Sequence, residues 1–489
     1  MQICLLLLLT AGAFLVHGYH PFIEDAEIYV PGIKKLLNPA LYPVNRGFFS
    51  SHASLTLFPH LIAWCVGIFH LPLEWALLVW HLICIFLLLL GCWKLARLSF
   101  GSDRCAFGSA ALVAGLLTLP VAGTALYLMD PYLNTRSFST VAATWVVVRA
   151  LERKYAHAIG WLIFAALIHP LMAGFALVFA TILFWRERAA ESRLGQFAAA
   201  MLLPLGFFPP VSNAYRQAIE RHPYFFLMRW QWYEWLGAVG PFLILWLFAR
   251  KAQRNKLQDL QALCSATLMF GVLFFIAALV LTVPASLARF VELQPMRSLH
   301  LVYLILCVIS GGFLAERILR DKIWRWVVLF APLCMGMFYA QRELYPATGQ
   351  IEWPGANSKN QWVQAFRWIR DNTPTEAYFA LDPDHMRLPG EDQHGFRAIA
   401  ERPRLADLVK DSGSVTMFPA LAQIWREQTT SVQNWKSFTK ADFERLRRTY
   451  AVSWLVLQAP GVPGLDCPYQ NTAVVVCRLD RPSGLAPAQ

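Results

Sequence analysis

The chain has 489 residues, 57% of them hydrophobic and only 15% charged, with a mean hydropathy of +0.42. A soluble globular domain carries about a quarter charged residues, so a water-soluble protein is excluded for most of this length. The net charge of +12 resides in short basic loops between apolar runs, the pattern of a multi-pass membrane protein, and calls for no nucleic-acid partner.

Residues 1–18 lack a basic n-region and a small-x-small cleavage site, and so read as a first membrane helix rather than a signal peptide. The loop 19–52 follows. It is rich in aromatics and prolines and sets Glu24 beside Asp25, with Glu27 two residues on. Next come two apolar stretches, 53–69 and 73–93, and then Lys94, Arg97 and Arg104. Basic loops belong in the cytoplasm, so only one crossing separates this cluster from residue 19. The stretch 53–69, interrupted by Pro59, is therefore expected to lie at the outer interface, and 73–93 to span.

Further basic clusters at 149–154, 186–193, 250–256 and 317–325 must each enclose an even number of crossings. This pairs 105–126 with 137–149, 156–168 with 171–185, 194–211 with 237–249, and 262–284 with 298–315. A last span, 324–340, returns outward. The expected total is eleven, with the N-terminus cytoplasmic and the C-terminus outside. The fold class is thus mainly α, a polytopic transmembrane bundle over 1–340.

From about 341 charge rises and long apolar runs stop. Trp362, Ala365, Phe366 and Ile369 share one helical face, with Ser358 in N-cap position and Asn372-Thr-Pro374 as the stop. Thr439 and Asp442 form a capping-box start for a second helix carrying Phe443, Leu446 and Tyr450. The runs 452–457 and 473–477 read as buried strands. A small outward-facing α/β domain over 341–489 is expected. Of the ten cysteines, only Cys467 and Cys477 fall in an oxidising compartment, which points to a disulfide between them.

Topology gathers polar residues at the outer ends of the helices: Glu24, Asp25 and Glu27; Asp130 and Arg136; His169; Arg216, Arg221, His222 and Arg229; then Arg289, Glu292, Arg297 and His300. Ionisable residues beside a membrane are costly, and so are functional candidates. Carboxylates there can act as bases or metal ligands, and arginines can grip an anionic headgroup. The plainer alternatives are helix-start carboxylates at Glu24 and Asp25, an Asp-Pro turn at Asp130, and headgroup anchors at Arg136 and Arg297. His169-Pro170 also reads as a simple turn.

An apolar first helix, an outer loop with the acidic pair Glu24-Asp25 shortly before Tyr29, an interfacial helix and Met129-Asp-Pro131 after the third span together resemble the GT-C superfamily. These are integral-membrane glycosyltransferases using polyprenyl-phosphate-linked sugars. The resemblance covers about 1–340, and the tail segment 368–374 resembles bacterial proteins of this type.

It implies an inverting transfer at the outer face of the bacterial inner membrane. A polyprenyl-phosphate sugar would be the donor, and the acceptor is unspecified. Asp25 is implied as the base, with Glu24 as its alternate. Asp130 would orient hydroxyls or share a divalent cation with Asp25, and Arg297 with Arg289 would neutralise the leaving phosphate. The competing classes are a non-catalytic scaffold of the same build and a transporter. Transporters place their charges in broken helices at mid-membrane within internal repeats, whereas here the charges fall at helix ends.

Overall fold

The computed structural model describes residues 2–189, 211–283 and 285–479, apart from the side chains of 187–189, 285, 286, 288 and 289. The chain is mainly helical, with a small sheet near the C-terminus. Helices Gln2–His17, Leu73–Phe100, Thr135–Leu151, Tyr155–Ile168, Pro170–Ala189, Trp232–Arg254, Gln258–Thr282, Leu299–Leu314 and Ile323–Leu344 fall on expected apolar runs. The expected span over 194–211 lies outside the described residues, save its last one. By length and composition, the described residues supply five full-length spans, or six if a bent pair counts as one, plus three shorter apolar helices. The expectation was eleven.

Two expected elements differ. The helix expected over 105–126 runs only over Asp103–Gly115. Pro120 cannot continue a helix, and the chain instead makes an antiparallel hairpin of β1 (Pro120–Val121) and β2 (Leu126–Tyr127). Gly123 turns it at φ +62°, where a Cβ would enter the Trp230 ring. The expected interfacial helix 53–69 is two helices, Gly47–Leu55 and Phe58–Phe69, bent by 86°. The bend precedes Pro59, which fits only in the first turn of the second helix.

The chain divides into two compact units, neither continuous in sequence. The first comprises Met1–Tyr19, Leu78–Ser212 and His222–Gln341. Its helices pack through small residues, as membrane helices do. Asp103–Gly115 crosses Leu299–Leu314 at two facing glycines. A Cβ on Gly108 would lie 2.7 Å from Gly311 O, and one on Gly311 would lie 2.6 Å from Ser109 Cα. Ser109 Oγ donates across the same crossing to Val308 O at 2.6 Å.

The second unit comprises His20–Leu77, Asn213–Arg221 and Arg342–Gln489. Its sheet has the order β3-β4-β6-β5. Strand β3 (Phe379–Leu381) runs parallel to β4 (Trp454–Gln458), and β5 (Asp466–Gln470) and β6 (Val474–Arg478) are antiparallel to their neighbours. Leu455, Leu457, Val475 and Cys477 face a core with Phe443 and Leu446 of helix Lys440–Tyr450. Helix Gln361–Asn372 also packs on the sheet, with Trp368 against Trp454. Burial on both faces explains why β4 and β6 read as continuous apolar runs rather than alternating ones. Thr439 and Asp442 close the expected capping box. Asn360, not Ser358, caps the first tail helix, accepting from Trp362 N at 2.9 Å and Val363 N at 3.2 Å. Cys467 on β5 and Cys477 on β6 are disulfide-bonded.

Two measurements check these features. Gly311→Leu drives a side chain into the Gly108–Ser109 backbone, and is expected to cost about 1–3 kcal/mol or more as overpacking, lowering the thermal midpoint in detergent. Gly336→Leu, at a glycine with open space around its Cβ position, is the neutral control. Alkylation of the unfolded chain should label eight of the ten cysteines without reductant and all ten with it.

Candidate active site

Helix Ala26–Leu37 begins directly after the acidic pair. Asp25 holds its N-cap position, yet no side-chain cap hydrogen bond forms, so the carboxylate is not consumed as a cap. Glu24 is left-handed at φ +54°, a conformation that costs a non-glycine residue energy and marks a place where the surroundings dictate the backbone. The surroundings are visible. Glu24 N donates to Gln393 O at 2.9 Å, Gly395 N donates to Phe22 O at 2.7 Å, and Ile23 bridges His394. The loop is thus strapped to the 393–395 segment as a short piece of antiparallel sheet. Lys410 Nζ donates to Asp25 Oδ1 at 3.0 Å and to Glu24 Oε2. The Glu24 and Asp25 side chains remain 28% and 26% exposed.

Glu27 has the opposite environment. It is fully buried and accepts from Arg404 Nε at 3.0 Å, Arg397 Nη1 at 3.3 Å and Ala398 N at 3.2 Å. Arg397 also forks onto Asp411 at 2.9 and 2.8 Å, the bidentate geometry that only a guanidinium provides. Arg404 pairs with Asp407, whose Oδ1 collects the backbone N–H groups of Val409, Lys410 and Asp411. Burial pushes the Glu27 carboxyl above its ordinary range, and the two arginines only partly offset this. Glu27 is a structural anchor, and the candidate chemistry narrows to its two neighbours.

A third cluster closes the far side of the strap. His394 Nε2 and His20 Nδ1 each lie 3.2 Å from the Glu352 carboxylate. Burial alone would raise Glu352, but His394 and His20 outweigh it and hold it at about 2. Burial would lower His394, but Glu352 outweighs it and brings it to about 9.

In the first unit, Asp130 Oδ2 accepts from Arg136 at 3.1 and 2.8 Å and from Asn134 Nδ2 at 2.6 Å. Asn134 in turn closes a capping box on helix Thr135–Leu151. Asp130 and Arg136 are both buried, and Arg136 is thereby committed to Asp130. His300 pairs with Leu128 O at 3.0 Å and feels the charges of Asp130, Arg136 and Arg297. Arg297 and His300 line a small cavity with Thr140, Met172 and Phe175. His169 stands at the turn between helices Tyr155–Ile168 and Pro170–Ala189. The Arg289 side chain lies outside the described residues. Asp25 and Asp130 therefore belong to different units, each with its own basic partner. Among the described residues, no group of three His, Cys, Asp or Glu side chains is placed to hold a metal ion.

The partners of the acidic loop, Arg397, Arg404, Asp407, Lys410 and Asp411, were missed from sequence. A signal existed: seven of the fifteen residues from 397 to 411 are charged, in a chain with 15% charge overall.

No family model matches the chain, and no curated protein matches it. Among solved structures, it is similar to the crystal structure of the Archaeoglobus fulgidus oligosaccharyltransferase in complex with zinc and sulfate. The two share 13% identity at a TM-score of 0.44, over 93% of this chain and 68% of that one. At that overlap and identity the likeness establishes neither a common fold nor a common activity.

The histidine–carboxylate cluster makes the strap pH-sensitive. His394 is held up at about 9 against an ordinary 6.5, so its contribution is complete below pH 6.5 and lost as pH rises through 9. Glu352 is held down at about 2 against 4.5, so its contribution is present above pH 4.5 and lost as pH falls through 2. The two describe one ion pair, strongest between pH 4.5 and 6.5. The His394 gap corresponds to about 3 kcal/mol. Amide hydrogen exchange at Glu24 and Gly395, corrected for intrinsic rates, should show the strap loosening between pH 6.5 and 9 in the native chain. Glu352→Gln should remove most of that pH dependence.

Proposed function

We propose that the protein is a membrane glycosyltransferase that moves a sugar from a polyprenyl-phosphate carrier to an acceptor at the outer face of the membrane, with Asp25 as the base. The observation that carries this reading is the sorting of the loop's acids. Glu27 is sealed among arginines, whereas Glu24 and Asp25 are ordered, reachable by solvent and unused as helix caps. Carboxylates held in place but left accessible suit proton transfer. The membrane-length apolar helices of the chain suit a lipid-borne donor.

In the proposed reaction, an acceptor hydroxyl attacks the anomeric carbon while Asp25 takes its proton. The bond from that carbon to the phosphate oxygen breaks with inversion, and polyprenyl phosphate leaves with the bonding pair. Glu24 stands beside Asp25 as the alternate base. Charge growing on the leaving phosphate calls for cations. Arg297 and Arg289, expected in that role from the sequence, belong to the first unit, and the Arg289 side chain lies outside the described residues. His169 is a further candidate contact. Asp130, expected to orient substrate hydroxyls, is held by Arg136 and Asn134 within the first unit.

Lipids extracted from the purified protein and examined by mass spectrometry would identify the donor for a transfer assay. Asp25→Asn is then expected to lower transfer by about 100-fold or more, with the thermal midpoint unchanged. A folded Asp25→Asn protein with native transfer would remove Asp25 as the base. Native transfer by Glu24→Gln as well would remove the acidic pair from the chemistry, whereas no transfer by the native protein from any extracted lipid donor would leave a scaffold or transporter as the better reading.

A further inference from the structure

The Lys410 ammonium reaches both Asp25 Oδ1, at 3.0 Å, and Glu24 Oε2, and its side chain is only 12% exposed. A single positive group lodged against two adjacent carboxylates occupies the seat, and supplies the kind of charge, that a divalent cation would bring to such a pair. Its position is set from both directions along the chain. On one side, Asp407 pins the Lys410 backbone N–H at 2.6 Å. On the other, Asp411 is clamped by Arg397, which also holds Glu27, two residues past Asp25. Lys410 is thus delivered to the acidic pair by the buried network rather than by a free side chain finding it.

With the Lys410 ammonium on both carboxylates, the pair does not admit a metal, and only removal of that ammonium would open the seat to an ion whose shell water completes. Hard divalent cations take six or more oxygen ligands, and among the described residues no third His, Cys, Asp or Glu joins this pair in a metal-binding group. The charge balance also differs. A divalent ion would neutralise both carboxylates, whereas one ammonium leaves one negative charge uncompensated, which a base requires.

We propose that Lys410 is the resident counter-cation of the Glu24–Asp25 pair, positioning both carboxylates in the seat a divalent metal would otherwise fill. The proposal deepens the reading of Asp25 as a base, and Lys410 is a positioning residue within it. Its test needs no transfer assay, so failure of the glycosyltransferase reading and failure of this one are separable.

The test is Mn2+ binding to the purified full-length protein, followed by electron paramagnetic resonance of the free ion. Bound Mn2+ is expected to be equal in the native chain and in the Glu24→Gln/Asp25→Asn double variant. Lys410→Met is expected to gain one bound Mn2+. That ion should be absent in Lys410→Arg and lost when Lys410→Met is combined with the double variant. Native protein that binds an ion lost in the double variant overturns the proposal, and so does a folded Lys410→Met protein that gains none. Should Lys410→Met fail to fold, the native and double-variant comparison decides alone.

Discussion

Glu27, fully buried and shared between two arginines, is the interaction on which the second unit depends. Its carboxylate stands at the start of helix Ala26–Leu37, and its partners come from a segment roughly 370 residues further along. Removing one member of such a buried pair leaves an uncompensated charge, at a cost of about 3–5 kcal/mol. The geometry around it admits little variation. A Cβ on Gly395 would lie 2.6 Å from Glu27 Oε2, so the two backbones approach this closely only because that position has no side chain. Three carboxylates, Glu27, Asp407 and Asp411, meet two guanidiniums here; burial pushes Glu27 and Asp411 upward, and the neighbouring carboxylates add to it.

Around this core, further ties run the length of the loop. Lys34 Nζ donates to Ala398 O and to Glu401, each at 2.7 Å. Tyr42 Oη donates to Arg397 O at 2.8 Å, Asn45 Nδ2 to Arg404 O at 2.7 Å, and Ser414 Oγ to Phe48 O at 2.6 Å. A loop this long would ordinarily be mobile. Here it is part of a packed body, and the acids at its head inherit that order. Carboxylates therefore take two roles within four positions: Glu24 and Asp25 stay reachable, and Glu27 is a permanent anchor.

Helices and strands with strong patterns were legible in the sequence. The apolar runs announced the long helices, Thr439 and Asp442 announced a cap, and the valine-rich runs announced strands buried on both faces. The hairpin at Pro120 was hidden, because the apolar run continues through it and only Pro120 and Gly123 mark the turn. Strand β5 was hidden as well, since Asp466, Cys467, Pro468, Tyr469 and Gln470 carry no apolar periodicity and pair through the backbone. For the site, chemistry flagged Glu24, Asp25 and Asp130. Nothing local distinguished Glu27 as the buried one, because that distinction is made by arginines hundreds of residues away. Arg136 read as a phosphate-binding candidate, but it sits six residues from Asp130 and spends its charge there.

The discontinuous make-up of the second unit has a consequence for how the protein is made. Glu27 leaves the ribosome long before Arg397. At synthesis rates of about 5–20 residues per second, the wait is roughly 20 to 70 seconds. Through that interval the acidic loop has no arginines to receive it, no strap to pair with and no Lys410 against its carboxylates. The helical unit can be inserted while the loop is still unstructured. The acidic pair is assembled only when the tail has been translated and has folded, so any chain that stops early carries the acids without the arrangement that orients them.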